Sequence, residues 1–280
     1  MARSFFIIKG LKDVRAKMWG NLEDLCDLFF ELSNEDRMKI LRELQGSSAN
    51  ITGLSRAIDI STQEVSRHVS RFLERDVVNR DSSGAFWLTP FGELVLNQIQ
   101  GLSFASEHRD YFKDHVLSDL PTNFLCRIGE LGGSDLVDDV MLVFHNVERI
   151  IDEAEEYIWR LTDRYNMMSL PRLEAATGRG VQFRLLQTKG FEYPPNWPGV
   201  GEVMSDARIK GTMKVKISDS ANIFIAMSEK EVAVVAFPSA NGRFDYLGFT
   251  SKAPQVHNWC HDLFEHYWET ARPRTEFFIT

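Results

Sequence analysis

The 280-residue chain is 44% hydrophobic and 11% aromatic, a globular composition that excludes collagen-like, low-complexity and disordered chains and gives room for two ordinary domains. Its net charge of −8 is uneven: residues 1–100 hold 13 Lys and Arg against 14 Asp and Glu, and the remainder 19 against 26. The acidity that would repel a polyanion therefore belongs to the C-terminal part, and a local basic face remains compatible with the total.

No run approaches the roughly 18 apolar residues of a membrane helix. The N-terminal MARSFFIIKGLKDVRAK has an apolar patch too short for a secretion signal, so the expectation is a cytoplasmic chain without a membrane partner. Cys26, Cys126 and Cys260 are scattered and form no Cys-x-x-Cys pair, which argues against a disulfide framework and a zinc site. Cys26 and Cys260 each lie among apolar residues, where a buried thiol is expected.

The first 120 residues have helical periodicity with one short hairpin. A helix is expected over 21–33, and Asn34 caps a second whose stripe is Met38, Ile40, Leu41 and Leu44. Glu35 and Asp36 fall in its first turn, where the helix dipole favours negative charge. A short third helix starts at Ile51. Ser61 then caps a fourth, with Glu64 three residues on completing a capping box.

Val65, Val69, Phe72 and Leu73 form the apolar face of this fourth helix. At 100° per residue the opposite face is Gln63, Arg67, Ser70, Arg71 and Glu74, with Thr62 and Ser66 at its edge. Gln and Arg can bond base edges in pairs, and hydroxyls can reach bases or phosphates, as a major-groove helix requires. A turn at Asp81-Ser-Ser-Gly84 makes the following residues a hairpin, with Arg80 at its base and Phe86 and Trp87 as anchors. A helix from 91 to about 116, carrying Leu94, Val95, Ile99 and Phe104, is a candidate connector or dimer element.

Leu54-Ser-Arg-Ala57-Ile58, the run Ser61 to Leu73, and Leu88-Thr-Pro-Phe-Gly92 together resemble the winged helix-turn-helix of ArsR-like archaeal transcription regulators. The resemblance implies binding of double-stranded DNA. Thr62, Gln63, Ser66, Arg67, Ser70, Arg71 and Arg80 are the candidate contacts: Gln63, Ser66 and Arg67 for base edges, Ser70, Arg71 and Arg80 mostly for phosphates. A winged helix also serves as a protein-interaction module, and an adaptor is the competing reading.

Beyond residue 120 helix and strand alternate. One long helix is expected over 136–168, broken near 144–146, with Asp152 to Glu156 on its solvated face. Strands follow at VQFRLLQ, MKVKIS, NIFIAMS and EVAVVAFP, with PPNWPG as a loop. A last helix places Val256, Trp259, Cys260, Leu263, Phe264 and Tyr267 on one face. The fold class is α+β: a winged domain (1–92), a connector helix (93–120), and an α/β sandwich (121–280).

The C-terminal part, at Ile150–Tyr165, Gly180–Arg184, Lys214–Pro238, Asp245–Phe249 and Trp259–Trp268, resembles the second domain of regulators of the methanogenesis regulatory protein (FilR1-like) type. That resemblance implies a one-component regulator, a homodimer with a small-molecule effector. The domain is also similar to the phospholipase D fold, which offers a phosphodiesterase alternative. Thr212-x-Lys214-x4-Asp219 keeps that family's lysine and aspartate but has threonine for its histidine nucleophile, so no covalent phosphoenzyme route exists. Arg184, Arg208 and Lys214 are the candidate effector contacts, with Trp159 and residues 205–208 in one polar-aromatic pocket. His257, His261 and His266 share one helix without a third zinc ligand, and no cofactor or metal is expected.

Overall fold

The computed structural model describes residues 21–195, 197 and 199–274. The apolar patch near the N-terminus, and Asn196 and Pro198 of the PPNWPG loop, lie outside these residues. The chain divides into two compact units, Met1–Gln98 and Ile99–Thr280.

In the first unit four helices, α1 (Leu22–Leu32), α2 (Glu35–Glu43), α3 (Ile51–Ile58) and α4 (Thr62–Glu74), precede a hairpin of β1 (Val78–Arg80) and β2 (Phe86–Leu88). Asparagine starts three of them: the side chains of Asn21, Asn34 and Asn50 accept from the amides of Glu23, Arg37 and Gly53. Ile40, Leu41, Leu44, Leu54, Val65, Val69 and Phe72 are essentially inaccessible and form the core, each worth roughly 1.5–3 kcal/mol of burial. Met38 is half-buried at the margin of its stripe. Cys26 departs from expectation and is exposed. The one buried side chain of α1 is Glu31, while Leu22, Phe29 and Phe30 stay open, so an apolar neighbourhood in sequence did not become a core.

The next helix, α5 (Pro90–Glu107), contains the boundary between the units. Thr89 starts it: its hydroxyl donates to the Asp76 carbonyl (2.6 Å) and accepts from the Gly92 amide (3.0 Å). Gly92 is required there because a Cβ would run into the Val77 carbonyl oxygen. The helix expected to reach residue 116 ends instead at Glu107, and a separate α6 (Arg109–Asp114) follows His108.

The second unit is an eight-stranded mixed sheet with helices on both faces. Its strands are β3 (Asp135–Val137), β4 (Tyr157–Arg164), β5 (Gln182–Glu192), β6 (Met213–Ser218), β7 (Phe224–Ser228), β8 (Val232–Ala236), β9 (Gly248–Ser251) and β10 (Arg272–Pro273). Their order across the sheet is β10-β6-β5-β4-β7-β8-β9-β3. β4, β5 and β6 are parallel and the other pairings antiparallel. One face packs on α11 (Pro254–Thr270), which buries Val256, Trp259, Cys260, Leu263, Phe264 and Tyr267 as its periodicity predicts, together with α7 (Thr122–Cys126). The other packs on α8 (Val140–Glu153), α9 (Leu170–Gly178) and α10 (Glu202–Ile209). This is an α+β chain with an α/β sandwich, as expected.

The long helix expected over 136–168 is overturned. Residues 135–137 are an edge strand, α8 runs unbroken through 144–146, and 157–164 are the central strand β4. Ala154 leaves the helix with ψ 138°. The Glu229 carboxylate then takes the amides of Glu155 (2.9 Å) and Tyr157 (3.1 Å), fixing the extended exit. Those bonds hold its pKa below the carboxylate norm despite burial, which acts the other way.

Candidate nucleic-acid interface

The interface begins with the turn between α3 and α4. Asp59 takes a left-handed conformation (φ 56°) at the end of α3, and the Ser55 hydroxyl donates to the Ile60 carbonyl at 2.6 Å. The full capping box is present: Ser61 Oγ accepts from the Glu64 amide, and Glu64 accepts from the Ser61 amide (3.0 Å) and hydroxyl (2.7 Å). These bonds hold the Glu64 carboxyl below its ordinary pKa, the Ser61 hydroxyl contributing most.

With Val65, Val69 and Phe72 buried, the rotation of α4 is fixed. Thr62, Gln63, Arg67 and Ser70 are exposed and Ser66 is half-buried, one polar strip along the helix. The Ser70 hydroxyl donates back to the Ser66 carbonyl (2.8 Å) and keeps only acceptor capacity for a ligand. His68, on the flank, has its pKa lowered, chiefly by burial.

Arg71, expected at a phosphate, is engaged within the unit. It makes a two-pronged pair with Glu31 of α1, at 2.7 and 2.6 Å, with its guanidinium 5.2 Å from the Phe30 ring centre. Buried Arg37 completes the arrangement, donating to the carbonyls of Glu31 and Phe30 at 2.6 Å each. Arg71 chiefly, with Arg37 and Arg75, lowers the Glu31 pKa against the effect of burial. This link spans 40 residues of sequence, and no local pattern announces it.

The hairpin stands beside α4 in chain order, with Val78 opposite Leu88 and Arg80 opposite Phe86. Asp81 Oδ1 builds its tip, accepting from the Ser83 amide (2.8 Å) and hydroxyl (2.6 Å) and the Ala85 amide (2.9 Å), and Gly84 adopts φ 88°. Phe86 is buried and bridges to Ala49, so it anchors the hairpin as expected, while Trp87 is half-buried. Arg80 is exposed and lies over the Phe86 ring at 5.4 Å.

In the second unit the expected effector residues do not all converge: Arg184 and Lys214 are register partners on β5 and β6, and Arg208 lies apart. Arg184 is held between Trp159 (4.7 Å) and Trp268 (5.3 Å) and pairs with Glu265 at 2.5 Å, on the face that α11 covers. Arg208 belongs to α10 on the opposite face, near Tyr193 and Tyr165, and burial lowers its pKa. Lys214 is exposed on β6. The pocket expected to join Arg184, Trp159 and residues 205–208 is therefore divided by the sheet.

In the phospholipase-like triplet two side chains are engaged elsewhere: the Thr212 hydroxyl donates to the Ala207 carbonyl (3.0 Å) and Asp219 pairs with Arg272 (3.0 Å). His257 Nε2 lies 2.8 Å from the Ser228 carbonyl oxygen and 3.1 Å from the Tyr157 hydroxyl, and the His261 ring is tilted against Trp159 with centres 4.6 Å apart. Among the described residues no three His, Cys, Asp or Glu are grouped to hold a metal ion, and no helix is long and apolar enough to cross a membrane.

Residues 26–109 match the family model of the HVO_A0261 N-terminal domain. No curated protein matches the chain. Among solved structures the chain is similar to TrmBL2, an archaeal chromatin protein, at 14% identity over 86% of this chain and 94% of that one, with a TM-score of 0.41. It is also similar to Nuc, a phospholipase D family member from Salmonella typhimurium (13% identity, 46% and 89% covered, TM-score 0.32), and to NucT from Helicobacter pylori (10%, 50% and 97%, 0.34).

Proposed function

We propose that this chain is a DNA-binding transcriptional regulator whose first unit is a winged helix-turn-helix of ArsR-like type. The observation that carries the proposal is the polar strip of α4. Thr62 and Gln63 stand near the helix N-terminus and Arg67 one turn on, all exposed, with Ser66 half-buried beside them, on a helix whose opposite face is locked into the core. In this reading α4 enters the major groove, where Gln63, Ser66 and Arg67 read base edges. Thr62 and Arg80 contact phosphates and set the register, while Ser70, its proton committed to the Ser66 carbonyl, is withdrawn from phosphate contact. Arg71 supports the helix from behind through Glu31 and is withdrawn from the contacts.

The working form is a homodimer. Phe91, Leu94 and Leu102 of α5 are each about half exposed and lie within one stripe of the helix, which supports α5 as a dimer element. The second unit senses a small effector and performs no catalysis.

Fluorescence polarisation of the purified chain against its own upstream DNA and a shuffled duplex, each at two salt concentrations, tests this. Preference for the upstream duplex with affinity falling steeply in salt is expected. Equal, feeble binding to both would favour the protein-interaction adaptor.

A further inference from the structure

A cavity of about 650 Å³ opens at the end of β4 in the second unit, walled by Met141, Phe144, Tyr165, Met168, Phe224 and Tyr246, with Arg160 among its lining residues. Its size is that of a pocket for a small organic ligand. The carboxyl ends of parallel strands are where open α/β sheets bind ligands.

Arg160 is the feature that calls for explanation. It is 3% exposed in the middle of the sheet, and among the described residues its side chain has one hydrogen bond, Nη1 to the Ser169 hydroxyl at 3.2 Å. Its Nε is buried with no partner among the described residues, and so is the Tyr165 hydroxyl oxygen beside it in the lining. A buried guanidinium stays charged, and such a charge is stable only when paired.

The carboxylates nearby are engaged elsewhere. Glu148 lines the cavity but pairs with Arg172 at 3.6 Å, and Asp163 pairs with Arg164 at 3.0 Å and accepts from the Tyr246 hydroxyl. The groups acting on Arg160 are burial, which lowers its pKa, and the phenols of Tyr165 and Tyr246.

We infer that this cavity binds a small organic monoanion, a carboxylate on an apolar or aromatic tail, with the carboxylate on Arg160 and Tyr165 and the tail among the methionines and rings. One buried cation fits one negative charge, since Arg164, the other cation of the lining, pairs with Asp163, and Glu148 in the wall disfavours a phosphate dianion. Flexible thioethers suit a tail of variable shape, and Met141 and Met168 are 72% and 74% exposed at the lip. The inference gives the effector of the proposed regulator its chemistry. It is tested without DNA, so it stands or falls separately from the α4 interface.

The test is isothermal titration of the full chain with hexanoate, octanoate, decanoate and 4-phenylbutyrate, each beside its primary amide. At least one carboxylate should bind at a single saturable site, about tenfold or more tighter than its amide. Arg160→Met should abolish that preference while folding as well as the wild type or better, since it removes an unpaired buried charge. Met168→Glu, at an exposed lip position, should weaken the carboxylate more than the amide and stands in if Arg160→Met does not fold. Absence of binding by every carboxylate, equal binding of acid and amide, or a preference that survives Arg160→Met would each overturn the inference.

Discussion

Arg67 and Arg71 are four residues apart on α4, and their surroundings assign them different tasks. Arg67 is exposed, so Arg67→Ala should leave the melting temperature near wild type. On the cognate duplex it should cost about 1–3 kcal/mol and relax specificity at one base position, read by polarisation against single-base variants. An unchanged affinity would place α4 outside the groove. Arg71 is bound to Glu31, and Arg71→Ala should instead lower thermal stability, with pH setting the size of the loss. Glu31 has its folded pKa below the ordinary 4.5. Its contribution is therefore fully present above the unfolded value and is lost as pH falls through the folded one. The stability gap between wild type and Arg71→Ala should be largest near neutrality and narrow below about pH 4.5 in melts recorded from neutral to acid. A gap independent of pH would show that lost packing over Phe30, and not the ion pair, is responsible.

At the scale of elements the helix starts carry measurable weight. Ser61→Ala removes the hydroxyl half of the capping box and should destabilise the first unit by about 1 kcal/mol, read as a shifted denaturant midpoint with unchanged slope. Gly92→Ala should also destabilise, although alanine favours a helix interior by about 1 kcal/mol over glycine, because its Cβ meets the Val77 carbonyl oxygen. A gain in stability there would mean that the Thr89 turn yields easily. The Ser61 start was legible in the sequence because a cap and its partner act within a few positions. β4 was not. Ile150, Ala154, Ile158 and Leu161 follow one another at helical intervals, and Arg160 among them resembles a helix's polar face. The strand is buried on both sides, so it lacks the alternation that marks a half-exposed strand. What distinguishes it is composition: Tyr, Ile, Trp and Thr favour a sheet. Its arginine, charged in the middle of an apolar run, was the one local sign of the cavity above it. The pairing of Arg184 with Glu265, 81 positions apart, left no such sign, and Arg184 and Arg208, expected in one pocket, ended on opposite faces.

For the whole molecule the acidic balance sets a condition on binding. A chain of net charge −8 approaching a polyanion gains attraction only where its cations face the duplex, so affinity should fall with salt in proportion to the phosphates neutralised. In the proposed homodimer that number is doubled. Exposed Leu94 and Leu102 lie on one stripe of α5, and the double variant Leu94→Glu/Leu102→Glu should be monomeric by light scattering while keeping its melting behaviour. On the upstream duplex its plot of log affinity against log salt should then have about half the wild-type slope, because one α4 and one hairpin remain engaged. Two recognition helices on a palindromic site would stand about one helical turn apart or a multiple of it, so spacers that rotate the half-sites by half a turn should weaken the wild type and leave the variant unaffected. A wild-type chain indifferent to that spacing, or a variant with the full slope, would show that each subunit binds alone and that the exposed stripe of α5 serves another contact.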